Sequence, residues 1–488
     1  MIRSAVSALA LVFVLGACAP KPAAEPAMSA EALAEQSTKL NAWFDEKYEE
    51  QLQFSPIQLT FLGRKDKNDE IDCFTFACAD EQLAWLKGAT DELKANFDYD
   101  TLSPTDQDSV DLWNYQYQRA ADSVAYRRNG FIFDQMNGVQ SFAPTFLIQF
   151  HAVDDEADAK ALVKRYTGTA AALQDALVIT KENAEAGVHA PKFAYEAVID
   201  QSKKIVTGAP FTAGPDSAIW ADFKADTAKL VADGKMTQEA ADALTVEAEA
   251  ALKGPFLTFY NDLIAFCTAD MANSPDPKGP QGANLQPNGA AYYDFMLAGM
   301  TTTSMTADEI HQLGLSEVER LHGEMEAIKN QVGFEGTLQE FFKSIRDAKD
   351  DERHYYPNTD EGREAYIADA TAAINNIKTK LPEYFGILPK ADLVVKRVEA
   401  FREQPGAAQH YFPGTPDGSR PGIYYAHLSD MTMMPKGELE VIAYHEGIPG
   451  HHMQISIAQE LTSVPKFRTQ AGFTAYSDLL GLSPFCPV

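Results

Sequence analysis

One eight-residue stretch, His445-Glu446-Gly447-Ile448-Pro449-Gly450-His451-His452, constrains this chain more than any other. It sets borderline-soft imidazole nitrogens beside a carboxylate, the donor set of a hydrolytic zinc site. Three of the chain's 10 histidines fall inside it, which argues against a surface helix with scattered histidines. The usual H-E-x-x-H pattern places its two histidines one turn apart on a helix face. Here the second position is taken by Pro449. A regular helix brings residue i+7 back over residue i but carries i+6 well round the cylinder. Proline removes a backbone donor and glycine admits a distorted backbone, so a bulge at Pro449-Gly450 is expected to bring His451 to the face of His445.

With 41 basic against 70 acidic residues in 488, the net charge is −29. Such a surface repels phosphate backbones, which argues against nucleic acid as a partner. The length and the hydrophobic content of 45% suit a large globular protein.

The N-terminus reads as an export signal. Arg3 supplies the positive charge, and residues 5–14 form an apolar run too short to span a bilayer comfortably. Leu15-Gly16-Ala17-Cys18 resembles a bacterial lipobox, with residues 1–17 removed and Cys18 lipidated; the alternative is an ordinary signal peptide cleaved near Ala17 or Ala19. Residues 18–28 are then a Pro/Ala tether. The expected location is the periplasmic face of the cell envelope, with Ala19 pointing to the outer membrane. In that oxidising compartment Cys73 and Cys78 are expected to pair, with metal binding the weaker alternative, and Cys267 sits in an apolar helical run.

Helical spacing of apolar residues recurs over 29–54, 79–97, 155–186 and 191–206. Ser103-Pro104 starts a helix expected to reach residue 128, and 218–267 reads as at least two helices broken near Gly234. Residues 131–150, rich in aromatics and glycine, are expected to form a loop or irregular wall. The Pro- and Gly-rich segment 273–288 is the best boundary, between a helical region (29–272) and a second region (289–488). Beyond it, Thr306 and Glu309 have the spacing of a capping box for a helix to about 332, followed by helices over 338–348 and 363–381. The period then shortens: 393–398 and 422–428 read as strands, joined by a turn-rich connection that includes His410. They form either an edge on which a peptide could pair or a plain hairpin.

The HEGIPGHHMQ segment, the Asp417-Gly418-Ser419-Arg420-Pro421-Gly422 turn, Glu309-Ile310-His311 and Phe467-Arg468 together resemble the bacterial lipoprotein family known as domain of unknown function 885, itself similar to helical zinc metallopeptidases of the gluzincin kind. The resemblance implies a mainly α fold with a deep cleft and a small β-sheet beside the metal-binding helix. It also implies His445 and His451 as zinc ligands, with His451 preferred to His452, and Glu446 as general base. The family completes its zinc shell with the glutamate of a Glu-Gly-Trp segment. Here the match stops at Ser477, so Asp478 is the expected substitute and the tail to Val488 is expected to be altered, as by a frameshift.

Arg420, Tyr424 and Tyr425 are candidates for contacting substrate or a developing oxyanion, each with packing as the alternative. No Gly-x-Ser-x-Gly elbow is present, which argues against a nucleophilic hydrolase. The sequence therefore points to a zinc-dependent peptidase acting on peptides, with a catalytically impaired binding lipoprotein as the rival.

Overall fold

The computed structural model describes residues 29–275, 282–403 and 407–475. The signal and tether (1–28), with the lipidation candidate Cys18, and the ligand candidate Asp478 lie outside the described residues.

The protein is mainly helical. Its N-terminal helices are α1 (Ala30–Leu52), α2 (Pro56–Phe61), α3 (Phe76–Asn96), α4 (Pro104–Ser123), α5 (Val139–Gln149), α6 (Glu156–Glu185), α7 (Lys192–Ile205), α8 (Ala218–Ala232), α9 (Gln238–Ala251) and α10 (Leu257–Asp270). Capping chemistry sets the starts. The side chains of Ser29, Ser55, Thr75, Ser103, Asp155 and Thr237 each accept a hydrogen bond from a first-turn N–H. The break after α8 falls at Gly234, which has φ +69°. A second kink, at Gly254-Pro255, separates α9 from α10. A disulfide joins Cys73 to Cys78 at the start of α3, and Cys267 is buried.

Residues 131–138 are irregular as expected, but helix α5 overturns that expectation over Val139–Gln149. Phe142, Phe146 and Phe150 recur at i, i+4 and i+8, a helical stripe packed on Phe61 and the main core. Pro144 has no N–H for the carbonyl of Gln140. That carbonyl instead accepts from the Tyr260 hydroxyl at 2.7 Å, so the proline is tolerated inside the helix.

After the connection come α11 (Gly289–Thr301), α12 (Ala307–Gln331), α13 (Leu338–Arg346) and α14 (Asp360–Lys378). The Thr306–Glu309 capping box opens α12, and Thr337 and Glu340 repeat the device for α13. A three-stranded sheet follows, β1 (Leu393–Arg397), β2 (His410–Phe412) and β3 (Gly422–Ala426), in the order β1-β3-β2. The two runs read as strands are neighbours but parallel, with Val395 opposite Tyr424, so they are not a hairpin. The third strand, β2, comes from the expected turn-rich connection and lies antiparallel to β3 at one edge. The chain then forms α15 (Lys436–Glu446), α16 (His451–Glu460) and α17 (Lys466–Thr469).

The largest core surrounds α6, where Tyr166, Leu173, Ala176 and Leu177 meet Val198 of α7 and Tyr260 of α10. Another lies between α14, α15 and the sheet, built on Tyr366, Ile374, Tyr424 and Ala443. A third joins α1, α3 and α4. Phe467 of α17 completes that third core, with its ring 4.8 Å from Phe44 and 5.4 Å from Trp113. Helices from both sides of the 273–288 connection therefore share a core.

Candidate metal centre

Helix α15 ends at Glu446 and α16 restarts at His451, so two short helices carry the motif rather than one bulged helix. The turn between them is tight: the Gly450 N–H donates to the Tyr444 carbonyl at 3.0 Å, and the His452 N–H to the Gly447 carbonyl at 3.0 Å. A Cβ on Gly450 would lie 1.9 Å from the His445 carbonyl oxygen, and one on Gly447 would lie 2.6 Å from that of Ala443. Both glycines are thus required by close backbone approach. Ile448–Pro449 is a cis peptide.

This turn folds the second helix back onto the first. The rings of His445 and His451 stand 4.5 Å apart, centroid to centroid, and cross at 69°. The Glu446 carboxylate lies 4.0 Å from His445 Nε2. One ligand atom from each of His445, Glu446 and His451 falls within 4.8 Å of the others, the one such three-residue group of metal-ligating side chains among the described residues. Glu446 is buried, whereas the two histidines are half-buried at the edge of solvent. His445 Nδ1 is buried and has no hydrogen-bond partner. Two imidazoles with an orphaned ring nitrogen beside a buried carboxylate fit a divalent ion such as zinc.

The neighbouring histidine does something else. His452 is fully buried; its Nε2–H donates to the Ala391 carbonyl at 3.0 Å, and its Nδ1 accepts from the Tyr411 hydroxyl at 3.0 Å. Burial lowers its pKa to about 4, which keeps it neutral. With both nitrogens engaged, His452 pins the start of α16 to the sheet, and His451 is the histidine that faces His445. Neither anchor is legible in the motif, because Tyr411 and Ala391 lie far upstream.

Of the three residues read as substrate contacts, Tyr424 lies near Glu446, while Arg420 and Tyr425 are held by other partners. Arg420 donates to the Phe61 carbonyl at 2.9 Å and stacks over the Phe150 ring. It lines a cavity of about 350 Å³ together with Gln454 and Gln459 of α16. Tyr424 and Tyr425 are fully buried on opposite faces of β3. The Tyr424 hydroxyl is 2.9 Å from that of Tyr366, beneath α15, and burial, the Tyr366 contact and the nearby Glu446 charge push its pKa up. Tyr425 stacks on His410 on the other side.

The family described as a bacterial protein of unknown function (DUF885) matches residues 56–478. The fold is similar to that of a putative lipoprotein from Colwellia psychrerythraea, at a TM-score of 0.78 and 20% identity over 91% of this chain and 76% of that one. A second such protein, of unknown function, from Shewanella oneidensis gives a TM-score of 0.54 and 16% identity over 92% and 77% of the two chains. No functionally curated protein matches the chain. With the family match running from α2 through the motif helices to the end of the described residues, this chain belongs to the DUF885 family.

Proposed function

We propose that this protein is a zinc-dependent peptidase of the bacterial cell envelope, held to the membrane through lipidated Cys18. The observation that carries the reading is the convergence of His445, Glu446 and His451 across the Gly447–Gly450 turn. When bound, zinc supplies a Lewis acid that polarises a carbonyl and acidifies water. His445 and His451 hold the ion. Glu446 takes the proton of the attacking water and passes it to the leaving amine. The burial of Glu446 beside Tyr424 keeps bulk water from its carboxylate. Envelope location is supported by the resemblance of Leu15–Cys18 to a lipobox and by the fold's similarity to two putative lipoproteins. Among the described residues no helix is long and apolar enough to cross a membrane.

One observation favours a second reading, a lipoprotein that binds peptides without cleaving them. If Glu446 serves as base, the group offers two protein ligands among the described residues, and a third must come from elsewhere, with Asp478 the candidate. Incubation with a mixed peptide library decides. New N-termini that vanish in Glu446→Gln, with zinc retained, support the peptidase; peptide retention with no cleavage supports the binding protein.

A further inference from the structure

Of the 25 residues of α12 only Lys329 is buried. The helix packs chiefly on α13, and Lys329 holds the turn between them by donating to the Gly336 carbonyl at 2.6 Å. Its sequence nevertheless carries the apolar face of a packed helix. Val318, Leu321, Met325, Ile328 and, at the C-cap, Val332 recur at alternating spacings of three and four residues, and Leu313 lies two turns before Leu321. Gln312, Glu319 and Asn330 take the opposite face. Leu313, Val318, Leu321, Ile328 and Val332 are between 39% and 64% exposed. An apolar stripe of this length is one that a neighbour normally covers.

The described chain ends beside the start of this helix. The Thr474 hydroxyl donates to the Met300 sulfur at 3.4 Å, and the Phe473 ring lies 5.9 Å from that of Tyr115. Met300 is at the end of α11, and Met305, also exposed, lies in the short link to α12. Residues 476–488 follow in sequence. They include Tyr476, Leu479, Leu480, Leu482, Phe485 and Val488, with Asp478 as the one acid and no base. Fully extended, such a segment reaches up to roughly 45 Å, against about 38 Å for the length of α12. Charge favours it over a second copy of the chain. Helix α12 carries six acidic residues against two basic ones, and the whole chain has a net charge of −29, so two copies would bring like charges together.

We infer that residues 476–488 dock on the apolar face of α12, with Leu479, Leu480, Leu482 and Phe485 covering Leu313, Val318, Leu321 and Ile328. The contact is made within one chain and does not rest on the peptidase reading.

The test is cross-linking of the full chain through Cys486, the thiol that the segment itself carries. Cys73 and Cys78 are paired and Cys267 is buried. Leu313→Cys, Leu321→Cys and Ile328→Cys are treated one at a time with bismaleimidoethane, beside Glu319→Cys on the opposite face. Denaturing electrophoresis separates links within a chain from links between chains, and tryptic peptides locate them. A link to Cys486 within one chain is expected from the apolar face and not from Glu319→Cys. A second measurement leaves every described residue untouched: Leu482→Glu with Phe485→Glu is expected to speed tryptic cleavage after Arg320 about tenfold, by uncovering the helix. The inference is overturned by no link from any of the three positions, by equal linkage from Glu319→Cys, or by a cleavage rate that ignores the two substitutions. Links found only between chains also overturn it, and give the face to a second copy.

Discussion

His445 and His451 face one another at 4.5 Å, centroid to centroid, although they sit on different helices. Their spacing is set by the backbone turn at Gly447–Gly450, whereas His452, the next residue, turns away to the Ala391 carbonyl and Tyr411. Elemental analysis of the purified protein should therefore find near one zinc per chain, lost in His445→Ala and in His451→Ala. A folded His452→Asn should keep its zinc. Retention in the His451 variant with loss in the His452 variant would reverse the assignment.

The turn leaves no room for a side chain at Gly450. Gly450→Ala would set a methyl 1.9 Å from the His445 carbonyl oxygen, so that oxygen must move and carry the histidine with it. The expected cost is about 3 kcal/mol, at the upper end for overpacking. Chemical denaturation should show it together with loss of bound zinc. Gly437→Ala, near the start of α15, serves as the neutral comparison, because a methyl there would meet nothing within 4 Å.

Acid sensitivity should arise far from the metal centre as well as at His452 beside it. His151 is buried with Nε2–H donating to the Asp158 carbonyl and Nδ1 accepting from Arg165, and burial with the Arg165 charge lowers its pKa from 6.5 to about 4. The unfolded chain binds a proton there first as pH falls. The neutral ring thus contributes stability that is complete above pH 6.5 and is lost as pH drops towards 4. Unfolding free energy measured across that window should fall with acid, and His151→Gln should flatten the slope. An unchanged slope would remove His151 from the account.

Reduction of Cys73–Cys78 should cost little. The sequence separation is only 5, and closing so short a loop restricts the unfolded chain by about 2 kcal/mol. Denaturation midpoints with and without reductant measure it; a loss of cooperative folding would show the bridge holds far more than its own loop.

Features written in adjacent residues were legible in the sequence alone. The Thr306–Glu309 box and the Ser103-Pro104 start needed only local hydrogen-bond chemistry, and Pro449-Gly450 announced that the histidines could not share one regular helix. Features set by distant partners were not. Helix α5 looked irregular because residues 131–150 are rich in aromatics and glycine, and its Pro144 is tolerated only because the distant Tyr260 supplies the donor for the Gln140 carbonyl. Strand β2 is three residues long and exists only through its pairing with β3. The different duties of His451 and His452 depend on Tyr411 and Ala391, residues that no motif spacing connects to them.

Strand β3 carries Tyr424 towards Tyr366 and α15, and Tyr425 towards His410 and Arg402. Because side chains alternate along a strand, one inserted or deleted residue between Gly422 and Ala426 would exchange the two faces at a stroke. Length change is therefore barred in these five positions, while the loop at 416–419 that precedes them turns at the surface. The strand can therefore change only by substitution.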